Sequence, residues 1–248
     1  MKTLLFLPAM PIYTPHWADT RESRSVIRFH SSGLEAALGE QRALVGMDTH
    51  RGLRTTLGLE AAAFMGFDPK GELTFSLLTF DGIFGLPLDL EWRDWSARLE
   101  WTHWSAHFAD GVRQEESLPD PELTGSFSRE WLGLTVARSM AWFRPYLAAQ
   151  WIVHSTDGGD GVTLQAGTSV DARSSPGLYA GLELQSRQEQ DWALSGAAEL
   201  GVQWFESGGG LQLGLCAYSG MDDAGKRAGK SEQYVGLSLG IRPPTSIR

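Results

Sequence analysis

From about residue 24 to residue 242, apolar and polar side chains alternate with a period of two in run after run, and no stretch carries a convincing helix of more than a turn or two. Alternation of this kind puts one residue type on each face of an extended strand. The run Trp92–Asp110 shows it best: Trp95, Ala97, Leu99 and Trp101 share one face, with Ser96, Arg98, Glu100 and Thr102 on the other. It is longer than the ~5–6 residues of a typical soluble strand, and it ends with His103, Ser105 and His107 on the tryptophan face.

About twelve strands follow from the pattern, near 24–31, 41–48, 52–67, 72–80, 92–110, 124–138, 143–154, 162–171, 177–187, 192–204, 210–218 and 232–241. Longer polar loops are expected near 32–40, 109–123 and 219–231, all at one end. Residues 81–91, containing Gly82, Gly85 and Pro87, read as a longer connection at the other end. Residues 1–23 form a proline-stiffened lead-in or the remnant of a signal segment, expected to strap against one end of the molecule. The organisation is one domain: lead-in 1–23, barrel 24–242 and tail 243–248.

Alternation alone does not say which face points outward, because a soluble sandwich or ligand-binding barrel buries its apolar face. Three features favour the inverse. The apolar faces carry Trp92, Trp95, Trp101, Trp192 and Trp204, as an aromatic girdle would. The polar faces carry charges of both signs, Arg54, Glu60, Arg98, Glu100, Arg144, Glu183 and Glu199, suited to a narrow lumen filled by ion pairs. The strands are also long. The expectation is an all-β chain forming a single antiparallel transmembrane β-barrel of about twelve strands, with a soluble ligand-binding β-barrel as the alternative.

Composition narrows the partners. A net charge of −9 argues against a nucleic-acid partner held through phosphates, leaving membrane lipid or lipopolysaccharide as the expected contact. The one cysteine, Cys216, builds neither a disulfide within the chain nor a cysteine metal site, and it falls on a lumen face as a packing residue. No cofactor is called for. Asp110, Glu115 and Glu116 offer calcium ligands, but a solvated acidic loop explains them as well. His103 and His107 lie about 13 Å apart on a strand, too far to share a metal.

Three segments resemble an uncharacterised family of bacterial outer-membrane proteins, domain of unknown function 1207. Pro11–Ser23, PIYTPHWADTRES, is similar to its proline-rich opening and Ala-Asp-Pro-Arg-Glu box, with Thr20 in place of the proline. Trp95–Asp110 resembles its His-x-Ser-Ser-His-Leu-Gly-Asp strand, with Ala106, Phe108 and Ala109 departing from it, and Ser128–Ala148 resembles the hairpin that follows. The resemblance implies a barrel in the bacterial outer membrane and brings no activity.

The top of the 92–110 strand suggests chemistry. His103 and Ser105 point to the same side about 6.5–7 Å apart along the strand, and pairing with the next strand brings Glu130 beside them. Ser105, His103 and Glu130 would then serve as nucleophile, base and orienting acid. The His-x-Ser pair resembles that of outer-membrane phospholipases and lipid A deacylases. It departs from the phospholipase pattern because no asparagine follows the serine, and the chain contains none. The blander reading, histidine and serine meeting lipid head groups above an aromatic belt, fits the same residues. Function is thus expected to be a structural or small-solute role in the outer membrane, with an outer-leaflet lipid acyl hydrolase as the alternative.

Overall fold

The computed structural model describes residues 2–5, 11–49, 52–69, 74–109, 127–172, 174–206, 209–227 and 230–243. Thirteen strands occur among them: β1 Lys2–Leu5, β2 Val26–His30, β3 Gly33–Asp48, β4 Leu53–Pro69, β5 Phe75–Trp92, β6 Trp95–Phe108, β7 Phe127–Arg138, β8 Phe143–Ser155, β9 Val162–Asp171, β10 Gly177–Arg187, β11 Leu194–Glu206, β12 Gly209–Met221 and β13 Ser231–Arg242. Each of β2 to β13 pairs antiparallel with its sequence neighbours, and β13 pairs with β2, which closes a twelve-stranded barrel. Strand β1 lies outside that closure, added to the end of β3 near Gly46 and Asp48.

The barrel is inside-out relative to a soluble protein. Leu57, Leu99, Leu134, Leu147, Leu178, Leu200, Leu215 and Val235, drawn from strands around the circumference, are exposed on the outer wall. Thr56, Asp89, Arg98, Arg144, Glu183, Glu199 and Gln203 are buried in the lumen. Such a band is stable only against hydrocarbon, and closing the sheet leaves no unpaired edge there. This is a membrane-spanning barrel, and the soluble alternative fails on the direction of its faces. No helix is long and apolar enough to cross a membrane, which says nothing against crossing by strands.

Three boundaries differ from the sequence reading. Residues 81–91 are not a connection: β5 runs through them as one strand of 18 residues. Pro87 is accommodated because the ladder to β4 is interrupted between Leu57–Leu88 and Glu60–Gly85, while Pro87 still registers with Glu100 on β6. Residues 32–40 are not a loop, because β2 turns at Ser31 and Ser32 directly into β3. The tryptophan-rich strand stops at Phe108, and residues 110–126 lie outside the described residues.

Candidate functional site

From Tyr13 to Arg24 the lead-in does not strap one end of the barrel but occupies its lumen. Tyr13, His16, Trp17, Ala18 and Arg24 are all buried. Trp17 donates its indole N–H to Asp171 at 3.0 Å, and Arg24 bonds Glu199 and the Trp17 carbonyl. The Arg98 guanidinium lies 3.5 Å from the centre of the Tyr13 ring. Gly181 of β10 permits this approach, since a Cβ there would sit 2.5 Å from the Ala18 nitrogen. From the outer end, the β12–β13 connection folds inward to meet this plug. Thr20 bonds Asp223, and Asp81 of β5 pairs with Arg21 at 3.1 Å while accepting the Gly225 N–H at 2.9 Å.

Of the charged residues assigned to the lumen, Glu60, Arg98, Arg144, Glu183 and Glu199 are buried. Arg54 and Glu100 are partly exposed on the same face. Arg98 pairs with Asp89 at 2.7 Å and reaches Glu60 at 3.6 Å; Arg54 pairs with Glu91 at 3.0 Å. Cys216 faces inward among Ala18, Ala197, Tyr218 and Tyr234. Within the plug, burial and then the Arg144 and Arg98 charges hold the His16 ring well below the ordinary imidazole range. Its Nδ1 therefore accepts from Arg144, at 3.2 Å. Burial, then Glu22, pushes the Asp19 carboxyl up to about 7. A cavity of about 90 Å³ remains between the plug and the wall, bounded in part by Tyr13, His16, Trp104, Trp131 and Arg129. At the outer rim Asp157 is buried enough to raise its carboxyl, yet hydrogen bonds from Arg129 and Ser155 hold it at about 2.

The outer wall carries a second cluster. On β6 the odd residues face outward, so Trp101, His103, Ser105 and His107 share the lipid side, while Thr102, Trp104 and Ala106 are buried inside. Register pairs His103 with Glu130 and Ser105 with Ser128. Glu130 Oε1 lies 3.0 Å from His103 Nδ1. Its other oxygen bonds Nδ1 of His154 on β8, a residue the sequence reading did not include. Strict alternation would turn His154 inward, on the lumen side with Arg144 and Tyr146. A bulge at Val153 shifts the β7–β8 register between Glu130–His154 and Trp131–Ile152 and brings His154 out. No hydrogen bond joins Ser105 to His103; they remain two residues apart on one face.

The height of this cluster follows from the strand. Trp92 and Trp95 are exposed at the inner end of β5 and β6, with Trp204 at the inner end of β11. From Trp95 to His103 is eight residues, which at ~3.3 Å each and ~40° of tilt rises about 20 Å, close to the ~25 Å apolar band of such barrels. Trp101 faces outward just below His103, and Trp192 stands at the outer β10–β11 turn. Trp142 and Trp151 are also exposed on the wall, at the inner turn before β8 and towards its outer end. The acidic triplet Asp110, Glu115 and Glu116 lies outside the described residues. Among the described residues no group of histidine, cysteine and carboxylate side chains is arranged to hold a metal.

No protein-family model and no curated protein matches the chain. Solved structures do. Outer membrane phospholipase A from Escherichia coli superposes with a TM-score of 0.61 at 13% identity, covering 95% of this chain and 92% of that one. The Salmonella typhi phospholipase dimer with bound calcium gives 0.60 at 12% identity, with 95% and 93% covered. The KdgM porin in complex with disordered oligogalacturonate gives 0.53 at 9% identity, with 91% and 99% covered. At these identities the likeness is one of fold. The chain has the fold of bacterial outer-membrane β-barrels, shared by porins and a phospholipase alike.

Proposed function

We propose that this barrel resides in the bacterial outer membrane and is an outer-leaflet lipid acyl hydrolase acting through Ser105, His103 and Glu130. The observation that carries the reading is the Glu130–His103 contact. A carboxylate at Nδ1 fixes the ring and its tautomer, leaving Nε2 as the basic nitrogen on the face that Ser105 shares. In hydrolysis, Ser105 Oγ attacks the ester carbonyl as His103 Nε2 takes its proton. Glu130 stabilises the imidazolium, which returns the proton to the leaving alcohol, and water then releases the fatty acid from Ser105 by the same exchange. The short reach from His103 to Ser105 closes by side-chain rotation, since catalytic hydrogen bonds often tighten only with substrate bound.

The site's height supports a lipid or lipopolysaccharide substrate, and the chemistry asks for no cofactor. The resemblance to domain of unknown function 1207 agrees with this location, and membership of that family is part of the proposal. The rival role, a structural or small-solute barrel, draws on the same fold; the filled lumen weighs against free passage of solutes. Acyl release from phospholipid and lipopolysaccharide in detergent micelles tests the reading. Ser105→Ala and His103→Ala are expected to abolish it, and unchanged release in either variant overturns the proposal.

A further inference from the structure

The wall on the two sides of Ser105 differs in chemistry. Toward β7 and β8 lie Ser128, Glu130 and His154, all polar. Toward β5 lies Gly82, the register partner of Ser105, and its outward neighbours on that strand are Phe80 and Phe84, 39% and 43% exposed. Phe84 stands opposite His103 and Phe80 opposite His107, so the two rings bracket the position beside the hydroxyl. A Cβ on Gly82 would sit 3.4 Å from Ser105 Oγ and 3.9 Å from Phe80 Cε1. A methyl group would thus fit at ordinary contact, whereas a branched side chain would fill the space next to the nucleophile. Beyond Gly82 the same level continues to Ala63 of β4.

A lipid ester has the same asymmetry, an apolar chain on the carbonyl carbon and a polar backbone on the ester oxygen. We infer that Gly82 is the specificity-determining residue of this site. The acyl chain lies over Gly82 between Phe80 and Phe84, and the polar part of the lipid lies over β7 and β8. This rests on the hydrolase reading above. It makes the substrate an ester of a long, unbranched fatty acid, selected by the β5 side of the site.

The test compares p-nitrophenyl palmitate with p-nitrophenyl acetate on the purified full-length barrel in micelles, for the wild type, Gly82→Val, Gly82→Ala and Ser105→Ala. Blocking the slot is expected to lower the ratio of palmitate to acetate rates about tenfold or more in Gly82→Val, with Gly82→Ala between it and the wild type. A ratio unchanged in Gly82→Val, with hydrolysis still dependent on Ser105, overturns the assignment of Gly82 alone. Hydrolysis of both esters that survives Ser105→Ala overturns the hydrolase reading and this inference with it. Parallel loss on both esters in Gly82→Val marks general damage and likewise overturns the slot, a result that Gly82→Ala checks with a smaller perturbation.

Discussion

Arg24, in the plug, and Glu199, midway along β11, form an ion pair across the lumen with side chains only 1% and 2% exposed. Glu199 also accepts from Tyr179 at 2.8 Å and Ser238 at 3.0 Å, so it ties the plug to β10, β11 and β13 at one point. Such a pair adds little over a well-packed apolar substitute, but removing Arg24 leaves the buried Glu199 with only Arg28, at 4.0 Å, to balance it, at a cost of up to about 3–5 kcal/mol. Arg24→Met is therefore expected to unseat the plug: ion conductance in planar bilayers rises above that of the wild type, and the folded band on unheated gels melts at lower temperature. Adding Glu199→Gln should restore part of the loss. Equal conductance in wild type and Arg24→Met would refute this role for the pair.

Docking of the plug should also respond to pH through Asp19. Its carboxyl is raised to about 7 by burial first and Glu22 second, so the folded chain keeps a proton that an unfolded carboxyl, at ~3.9, has released. That contribution is complete below about pH 4 and gone above about pH 7. His16 acts in the opposite direction. Its ring is lowered by burial and by Arg144, so its contribution is present above ~6.5 and lost as pH falls. Asp19→Asn stays neutral at every pH and keeps an acceptor for the Arg21 N–H, now 2.8 Å from Asp19 Oδ1. The variant should melt above the wild type at pH 8 and close to it at pH 4, read by gel mobility after stepwise heating. A gain of equal size at both values sinks the assignment.

What the sequence made legible was whatever depends on alternation. The odd–even split of β6 put Arg98 inside and His103 and Ser105 outside without any tertiary information, and antiparallel return of the next strand was enough to bring Glu130 near His103. What it hid was whatever breaks alternation or joins distant segments. Pro87 looked like a chain breaker because its tolerance depends on an interruption in the ladder to β4, which only the paired strand reveals. The lead-in reads as a strap against one end because nothing local in Tyr13 or Trp17 says that Arg98 and Asp171 wait inside. His154 was invisible for the same reason as Pro87, since one extra residue reverses its face. A proline-rich, aromatic and charged segment ahead of a barrel with a charged lumen is the signal that could have placed the plug.

The bulge at Val153 makes a prediction of its own. Deleting Val153 removes the extra residue and restores strict pairing between β7 and β8, and the histidine, now directly after the inward Ile152, stays outward opposite Glu130. Reactivity of histidines with diethyl pyrocarbonate in micelles should therefore keep the signal of His154, whose side chain is 64% exposed. Glu130 then keeps its contacts with both His103 and His154. Acyl hydrolysis is expected to stay close to that of the wild type, in contrast to Glu130→Ala, where losing the orienting acid should cost about 10²-fold or more. If deletion hides His154 from the reagent, Val153 is not the extra residue and the bulge is not what aims the histidine.

Asp81 separates the two closures of the lumen. One of its oxygens takes both the Arg21 ion pair, at 3.1 Å, and the Gly225 N–H, at 2.9 Å, with the carboxylate only 1% exposed. The plug from the inner end and the connection from the outer end therefore converge on a single side chain. Asp81→Ala removes both contacts and leaves the Arg21 charge among Phe64 and Trp104, whose rings it already faces at 4.9 and 5.6 Å. Asp81→Asn keeps an oxygen for Gly225 and loses only the charge. The outer connection contains Arg227, held by Asp222 at 2.7 Å, so trypsin cleavage after Arg227 reports how firmly it is tied down. Cleavage should be fastest in Asp81→Ala and close to wild type in Asp81→Asn, while bilayer conductance should rise in both. If conductance rises only where cleavage does, the outer connection alone closes the lumen and Arg21 adds nothing to the seal.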